Sequence, residues 1–219
     1  MKNEKFSILN SQFLILFVIA ALVLASCSSK KSDTYSIGSY YEKDGVKGIV
    51  YKVNADGEHG MIVSLNETAC AWSTERIVTG CALTDNGMNN MIIIKAKPDW
   101  GTKYPAFKRC DDLNKDGITG WYLPAKDELA QLYAGYCGLS SFPGKEDDAA
   151  TKYAAARTKF NVALVAHGGV VMSENNWYWS STEHFNGGRA WRLDLKNGNL
   201  SDSDGDKTLN FKVRAVRAF

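Results

Sequence analysis

Two stretches of this 219-residue chain place side-chain oxygens at alternate positions, the spacing with which a loop wraps a cation. Asp112, Asn114 and Asp116 precede Gly117, as in the first half of a calcium loop, where a glycine permits the sharp turn. The twelfth position, however, is Leu123 and not a bidentate Glu, and a polar turn explains the pattern equally. Asp202, Asp204 and Asp206 form a second acidic loop, whose mutual repulsion is relieved either by water or by a cation. Calcium on these loops is therefore the one cofactor raised, against the default of none. Just upstream, Glu183, His184, Phe185, Asn186 and Arg189 gather a carboxylate, an imidazole, a ring, an amide and a guanidinium. A stacking face among fixed polar groups suits sugar recognition, so Glu183, His184, Asn186 and Arg189 are candidate ligand contacts; a solvated hairpin tip is the competing reading. Ser180, His184 and Asp194 hold the ingredients of nucleophilic hydrolysis, yet no G-x-S-x-G elbow presents the serine, and no enzyme is expected.

Five cysteines raise a different chemistry. Lys2 and Lys5 precede an uncharged apolar run from Phe13 to Ala25, which is shorter than the roughly 20 residues a bilayer crossing needs. A charged start, a short apolar stretch and small residues at its exit describe an export signal. The exit, Leu24-Ala25-Ser26-Cys27, resembles the lipobox of bacterial lipoproteins. That resemblance implies cleavage after Ser26, diacylation of Cys27 and a protein whose first partner is a membrane, reached through the lipid anchor. Several acyl chains on one residue hold almost permanently, at about 0.8 kcal/mol per buried methylene. Ser28 after the cysteine, rather than Asp, implies sorting to the outer membrane or cell surface. Residues 1–26 are thus read as signal, 27–37 as a polar flexible tether and 38–219 as one domain.

Outside the cytoplasm the four remaining thiols, Cys70, Cys81, Cys110 and Cys137, are candidates for two disulfides. Proximity in sequence favours Cys70 with Cys81 and Cys110 with Cys137; free buried thiols are the alternative. No C-x-x-C spacing supports zinc. Net charge is +2 with no basic stripe, so nucleic acid is not an expected partner.

The elements that must position these residues are partly legible. β-branched runs at 48–53 and 59–65 around Asn54–Glu58 read as a hairpin. Met91–Ile94 begins either a strand or a helix. Leu129, Leu132, Tyr133 and Tyr136 recur at helical spacing behind Pro124, with Asp127 and Glu128 in the first turn, which predicts a helix over 125–135. A second helix is predicted over 147–166, with Tyr153, Ala154, Phe160, Leu164 and Val165 on its inner side and Gly168-Gly169 at its end. Strands follow at Trp177–Ser180, Arg189–Leu195 and Phe211–Phe219, Arg214 and Arg217 carrying the charge of the last. Strands at both ends around helices predict an α+β domain with antiparallel sheets and two main helices, its termini meeting in one sheet. Trp121, Leu129, Trp179 and Trp191 are expected in the core. Trp72 and Trp100, in polar stretches, are either exposed stacking residues or buried anchors.

Three ordered strings carry a family resemblance: Gly120-Trp121-Tyr122-Leu123-Pro124-Ala125-Lys126-Asp127-Glu128-Leu129, then Tyr178-Trp179-Ser180-Ser181-Thr182-Glu183, then Val213-Arg214-Ala215-Val216-Arg217. They resemble the G-W-[RY]-L-P-[ST]-x-x-E-L, Y-W-S-S-T-E and V-R-x-V-R motifs of the Fibrobacter major paralogous domain, also known as the Lcl C-terminal domain, of unknown function. The resemblance covers most of residues 38–219. It implies a C-type lectin-like fold, similar also to the formylglycine-generating enzyme. That enzyme works through cysteines near its C-terminus, whereas no thiol follows Cys137 here, so the likeness carries no activity. The expected function is a binding or adhesion module outside the cell, with a glycan or a surface protein as partner. The alternative is a structural or accessory subunit of a surface assembly without a small ligand.

Overall fold

The computed structural model describes residues 33–219. The signal over 1–26, the acylation expected at Cys27 and most of the tether lie outside the described residues. Among those described, no helix is long and apolar enough to cross a membrane.

The expected hairpin is β2 (Val46–Val53) paired antiparallel with β3 (Gly60–Val63). In front of it, β1 (Tyr40–Lys43) folds back through Asp44 and Gly45, both with positive φ (52° and 79°), the two-residue turn that matches strand twist. The run expected as one C-terminal strand is two. β8 (Asn210–Val213) and β9 (Val216–Ala218) belong to different sheets, because Arg214 between them turns inward rather than outward. β9 closes the first sheet in the order β1-β2-β3-β9, so the first and last strands of the domain do share a sheet. Phe219 packs there against Tyr35 and Tyr41, with ring centroids 5.0 and 4.7 Å away.

The remaining strands form a second sheet. Its order is β4 (Thr68–Ala71), β8, β5 (Trp177–Glu183), β6 (Ala190–Asp194) and β7 (Asn199–Ser201). The β5–β8 pair is parallel, which corrects the expectation of purely antiparallel sheets.

Six helical segments lie between the strands, where two main helices were expected. α1 (Gly87–Lys95), opened by the Asn86 side chain accepting the Asn89 N–H at 2.9 Å, settles the Met91–Ile94 ambiguity as helix. α2 (Trp100–Lys103) and α3 (Pro105–Asp111) carried too little periodicity to be read. α4 (Lys126–Tyr136) is the first predicted helix, lodged between the sheets with its Leu129, Leu132, Tyr133 and Tyr136 buried against β2, β5 and β6. The second predicted helix is broken at Tyr153 into α5 (Ala149–Lys152) and α6 (Ala154–Ala166). Its inner face is Arg157, Phe160 and Leu164, whereas Ala154 and Val165 are exposed. Arg157 is tolerated inside because its guanidinium donates to Tyr133 Oη at 2.9 Å and to the Lys196 carbonyl at 3.2 Å.

Trp121, Leu129 and Trp179 are core residues, but Trp191 is half-buried, its ring covered by the Lys126 ammonium at 4.4 Å. Trp72 is a fully buried anchor and Trp100 is half-buried. All four described cysteines are free, so neither expected pairing forms. Cys81 lies against the Asn90 carbonyl at 3.5 Å and Cys137 against Arg157 at 3.6 Å, whereas Cys70 on β4 and Cys110 on α3 are near enough for the charge of one to act on the other.

Candidate functional site

The three sequence strings meet in one joint at the start of α4. Its N-cap is Ala125, which has no side-chain acceptor, so the joint supplies substitutes. Thr182 Oγ1, on β5, accepts the Lys126 N–H at 2.9 Å and donates to the Leu83 carbonyl at 2.8 Å. Glu128 reaches back to the Ala125 N–H at 2.8 Å. Ser181 N–H donates to the Pro124 carbonyl at 2.7 Å, and Tyr122 exchanges backbone hydrogen bonds of 3.1 and 3.0 Å with Val216. The motifs are thus a structural splice that fixes where β5 ends and what its following loop presents.

That loop, 183–189, lies against the acidic loop 201–207. Ala190 N–H donates to the Gly205 carbonyl at 2.8 Å, Lys207 N–H to Gly188 at 3.2 Å, and Arg189 Nη1 to Ser203 at 2.9 Å. The two loops therefore form one end of the second sheet.

The candidate ligand contacts separate by burial. Glu183 faces inward: its carboxylate accepts the Thr79 and Gly80 N–H groups at 2.8 and 2.9 Å and pairs with Lys207, whose side chain is fully buried. Burial pushes the Lys207 ammonium down, opposed by its bond to Glu183. Lys207 also lies 4.3 Å from the Trp72 ring and donates to the Ile77 carbonyl at 2.9 Å. Glu183 is therefore a strut beneath the loops, a role that a polar residue two places from a hairpin tip does not advertise in sequence. His184 is half-buried with Nε2 3.0 Å from Asp202, and Arg189 is half-buried on its bond to Ser203. Asn186 stays at the surface, its Oδ1 accepting the Gly188 N–H at 3.2 Å. Phe185 projects furthest, 89% exposed, its ring 4.1 Å from that of His184. Ser180 is buried on the Trp191 carbonyl and Asp194 accepts the Lys196 N–H, so neither is directed to His184.

Each carboxylate of the acidic loop has its own basic side chain as partner. Asp202 faces His184, Asp204 stands 3.5 Å from Arg192, and Asp206 takes Arg76 at 2.8 Å. Burial raises the Asp206 carboxyl, but the Thr208 N–H and Arg76 outweigh it and hold it below the usual range. Arg192 is clamped between the rings of Trp177 and Phe211, 3.9 and 4.6 Å from their centroids. Sequence spacing revealed the carboxylates and missed these partners, which come from three other elements. In the other loop, Asn114 turns both ends of its amide to the Trp121 backbone at 2.9 Å, Asp112 pairs with Lys108, and Asp116 sits at φ 54° in the turn. Among the described residues, no group of three or more His, Cys, Asp or Glu is placed to hold a metal ion.

Comparison with known proteins is consistent with this architecture. A sequence model of the Lcl C-terminal domain matches residues 43–217, and the chain belongs to that family. No curated protein matches the chain. Among solved structures, a fimbrial protein from Bacteroides ovatus ATCC 8483 superposes with a TM-score of 0.59 at 18% identity, over 84% of this chain. The match spans about half of that protein, 49% of its length, and at this identity it shows a shared fold.

Proposed function

We propose that this member of the Lcl C-terminal domain family is a lipoprotein, anchored outside the cytoplasm through acylated Cys27, that acts as a binding or adhesion module. Its ligand-facing end is the paired loops 183–189 and 201–207 of a C-type lectin-like domain, and its ligand class is a glycan. The observation that carries this reading is Phe185, a large ring left exposed at a tip whose base is fixed by the buried Glu183–Lys207 pair. A rigid base with a protruding aromatic surface offers a stacking face at little ordering cost. Asn186, Arg189 and the acidic loop surround it with donors and acceptors.

A second reading is favoured by a different observation. The Val78 backbone lies against Gly187, so the exposed side chains of Ile77 and Val78 continue the apolar tip. An apolar surface of this kind also suits a protein neighbour in a surface assembly, and the structural likeness to a fimbrial protein fits it.

A glycan array probed with the purified full chain and with Phe185→Ala tests both. Glycan signals that fall about tenfold in the variant support the first reading. A silent array, with crosslinks to a neighbouring surface protein that disappear in Val78→Asp, replaces it with the second. Palmitate labelling that vanishes in Cys27→Ala supports the anchor, and persistent label removes it.

A further inference from the structure

Four of the ten large apolar side chains that stand exposed among the described residues fall within ten consecutive positions: Val162 and Val165 on α6, then Val170 and Val171. Single scattered exposures need no explanation, whereas a cluster marks a contact surface. Ala155, Thr158, Val162 and Val165 recur at helical spacing on the side of α6 opposite the buried Phe160, all exposed and none charged. Gly168, at φ 75°, turns the chain at the helix end, and Val170 and Val171 follow, their carbonyls held by Arg214. From Tyr153 to Ser173 there is no Asp or Glu, and the exposed charge of α6 is Lys159. The face is therefore aliphatic with a cationic edge. Such a face suits an anionic lipid surface, the lysine stem lying along apolar surface while its ammonium reaches phosphate.

The anchor proposed at Cys27 says what covers it. Cys27 and Thr34 are seven residues apart, a span of about 25 Å at full extension. Thr34 lies beside Gly57, and Tyr35 N–H donates to the Gly57 carbonyl at 2.8 Å, so the chain enters the domain at the β2–β3 turn. β1 follows at once, and its Tyr40 ring stacks on His167 at the end of α6, with centroids 3.6 Å apart and planes at 2°. Entry point and apolar face are thus joined through one short strand. A link this short makes docking intramolecular, at an effective concentration of about millimolar, so a surface of modest area suffices. β5 supplies the orientation. Ser173 N–H donates to Tyr178 Oη at 2.7 Å near the start of that strand, which then runs from Trp177 to Glu183, about 20 Å further on. The loop 183–189 stands at the other end of the strand from the valines.

We infer that the outer face of α6, with Val170 and Val171, lies on the phospholipid surface that holds the Cys27 acyl chains, so that the domain stands on this face with the 183–189 tip directed away. The inference rests on the acylated Cys27 proposed above and adds the surface on which the domain sits.

The test inserts the acylated full chain into the outer leaflet of preformed vesicles of phosphatidylethanolamine and phosphatidylglycerol. A fluorophore is carried on Val165→Cys or on Phe185→Cys; Cys81, Cys110 and Cys137 are buried, and the parent chain is the labelling blank. On vesicles the probe at position 165 is expected to lose most of its quenching by aqueous iodide, while the probe at 185 keeps it. Val162→Asp/Val170→Asp, at exposed positions, is expected to restore quenching at 165 while the chain stays in the vesicle pellet and melts no lower than the parent. Equal quenching at 165 and 185, or shielding at 165 that survives the double variant, overturns the inference and leaves the anchor standing. Shielding at 165 that appears without vesicles and grows with protein concentration assigns the face to a second copy of the chain and overturns it too. A chain absent from the vesicle pellet removes the anchor and this inference together, so the two failures are distinguishable.

Discussion

Arg214 meets Glu67 at 3.0 Å with both side chains withdrawn from solvent, and the same guanidinium also donates to the carbonyls of Ser64, Leu65, Val170 and Val171. Glu67 in turn accepts from Ser173, Tyr178 and Lys212. This cluster is where the chain leaves one sheet for the other, and five carbonyl and carboxylate acceptors around one cation explain why the C-terminal run bends instead of continuing. Removing one partner of a buried pair leaves the other uncompensated, at about 3–5 kcal/mol. Arg214→Leu is therefore expected to lower stability by that order, read as a fall in the urea midpoint at unchanged m-value.

The same pair sets the acid limb of stability. Burial raises the Glu67 carboxyl, but Arg214 and the hydrogen bonds from Ser173, Tyr178 and Lys212 outweigh it and hold it below the usual range. A depressed folded-state value means stability fully present above the unfolded value of about 4.3 and lost as pH falls through the folded one. Glu128 has the opposite sign: burial raises it, so its protonated form favours the fold, and the benefit is lost as pH rises from about 4.3 through its folded value. Melting temperature followed from neutral to acid pH is expected to drop more gently in Glu67→Gln than in the parent, whose neutral-pH stability is the higher of the two. Parallel curves would contradict the assignment.

Arg214 also shows why part of the fold is not written in local pattern. In Phe211–Phe219 charges alternate with apolar residues, which reads as an outward-facing stripe, yet Arg214 is among the most buried residues in the domain. Arg157 in an Ala-rich helix and Lys207 beside three aspartates mislead in the same way. A cation can go inward only when acceptors from distant segments surround it, and sequence spacing does not report those segments. By contrast, α4 was legible because Leu129, Leu132, Tyr133 and Tyr136 need nothing but each other's spacing. The β2–β3 hairpin was legible because its turn chemistry is local. The loops at 183–189 and 201–207 could be placed together because they flank one short strand.

Beneath the loop end, Lys207→Met leaves the Glu183 carboxylate buried with the Thr79 and Gly80 N–H groups as its remaining donors. A loss of about 3–5 kcal/mol is expected. Because the variant removes the Lys207 side-chain bonds to the Ile77 carbonyl and to Glu183 at the root of the loop, it is expected to expose 183–189 to limited proteolysis before global unfolding. Cleavage confined to other loops would show that the pair does not brace the tip.

Where α4 crosses β2, Gly135 lies so close that a Cβ there would overlap the Tyr51 carbonyl. Backbone against backbone leaves no flexible side-chain end to move aside. Gly135→Ala is expected to cost about 1–3 kcal/mol despite the helix propensity that alanine adds, because overpacking outweighs that gain. Thermal unfolding at neutral pH measures the balance, and a higher melting temperature would contradict the close crossing.

The thiols give the last test. Burial pushes Cys70 and Cys81 up to about 11, so at neutral pH almost none of either is thiolate, the species that attacks alkylating reagents and disulfides. Cys110 is raised well above its usual value and Cys137 is raised too, again first through burial. Buried protonated thiols can persist in an oxidising compartment because exchange is slow wherever thiolate is scarce. Mass spectrometry after alkylation is therefore expected to find Cys70, Cys81, Cys110 and Cys137 unmodified in the native chain and all four alkylated once it is denatured without reductant. A linked Cys70–Cys81 or Cys110–Cys137 peptide in that denatured sample would restore the disulfide framework and overturn the free-thiol core.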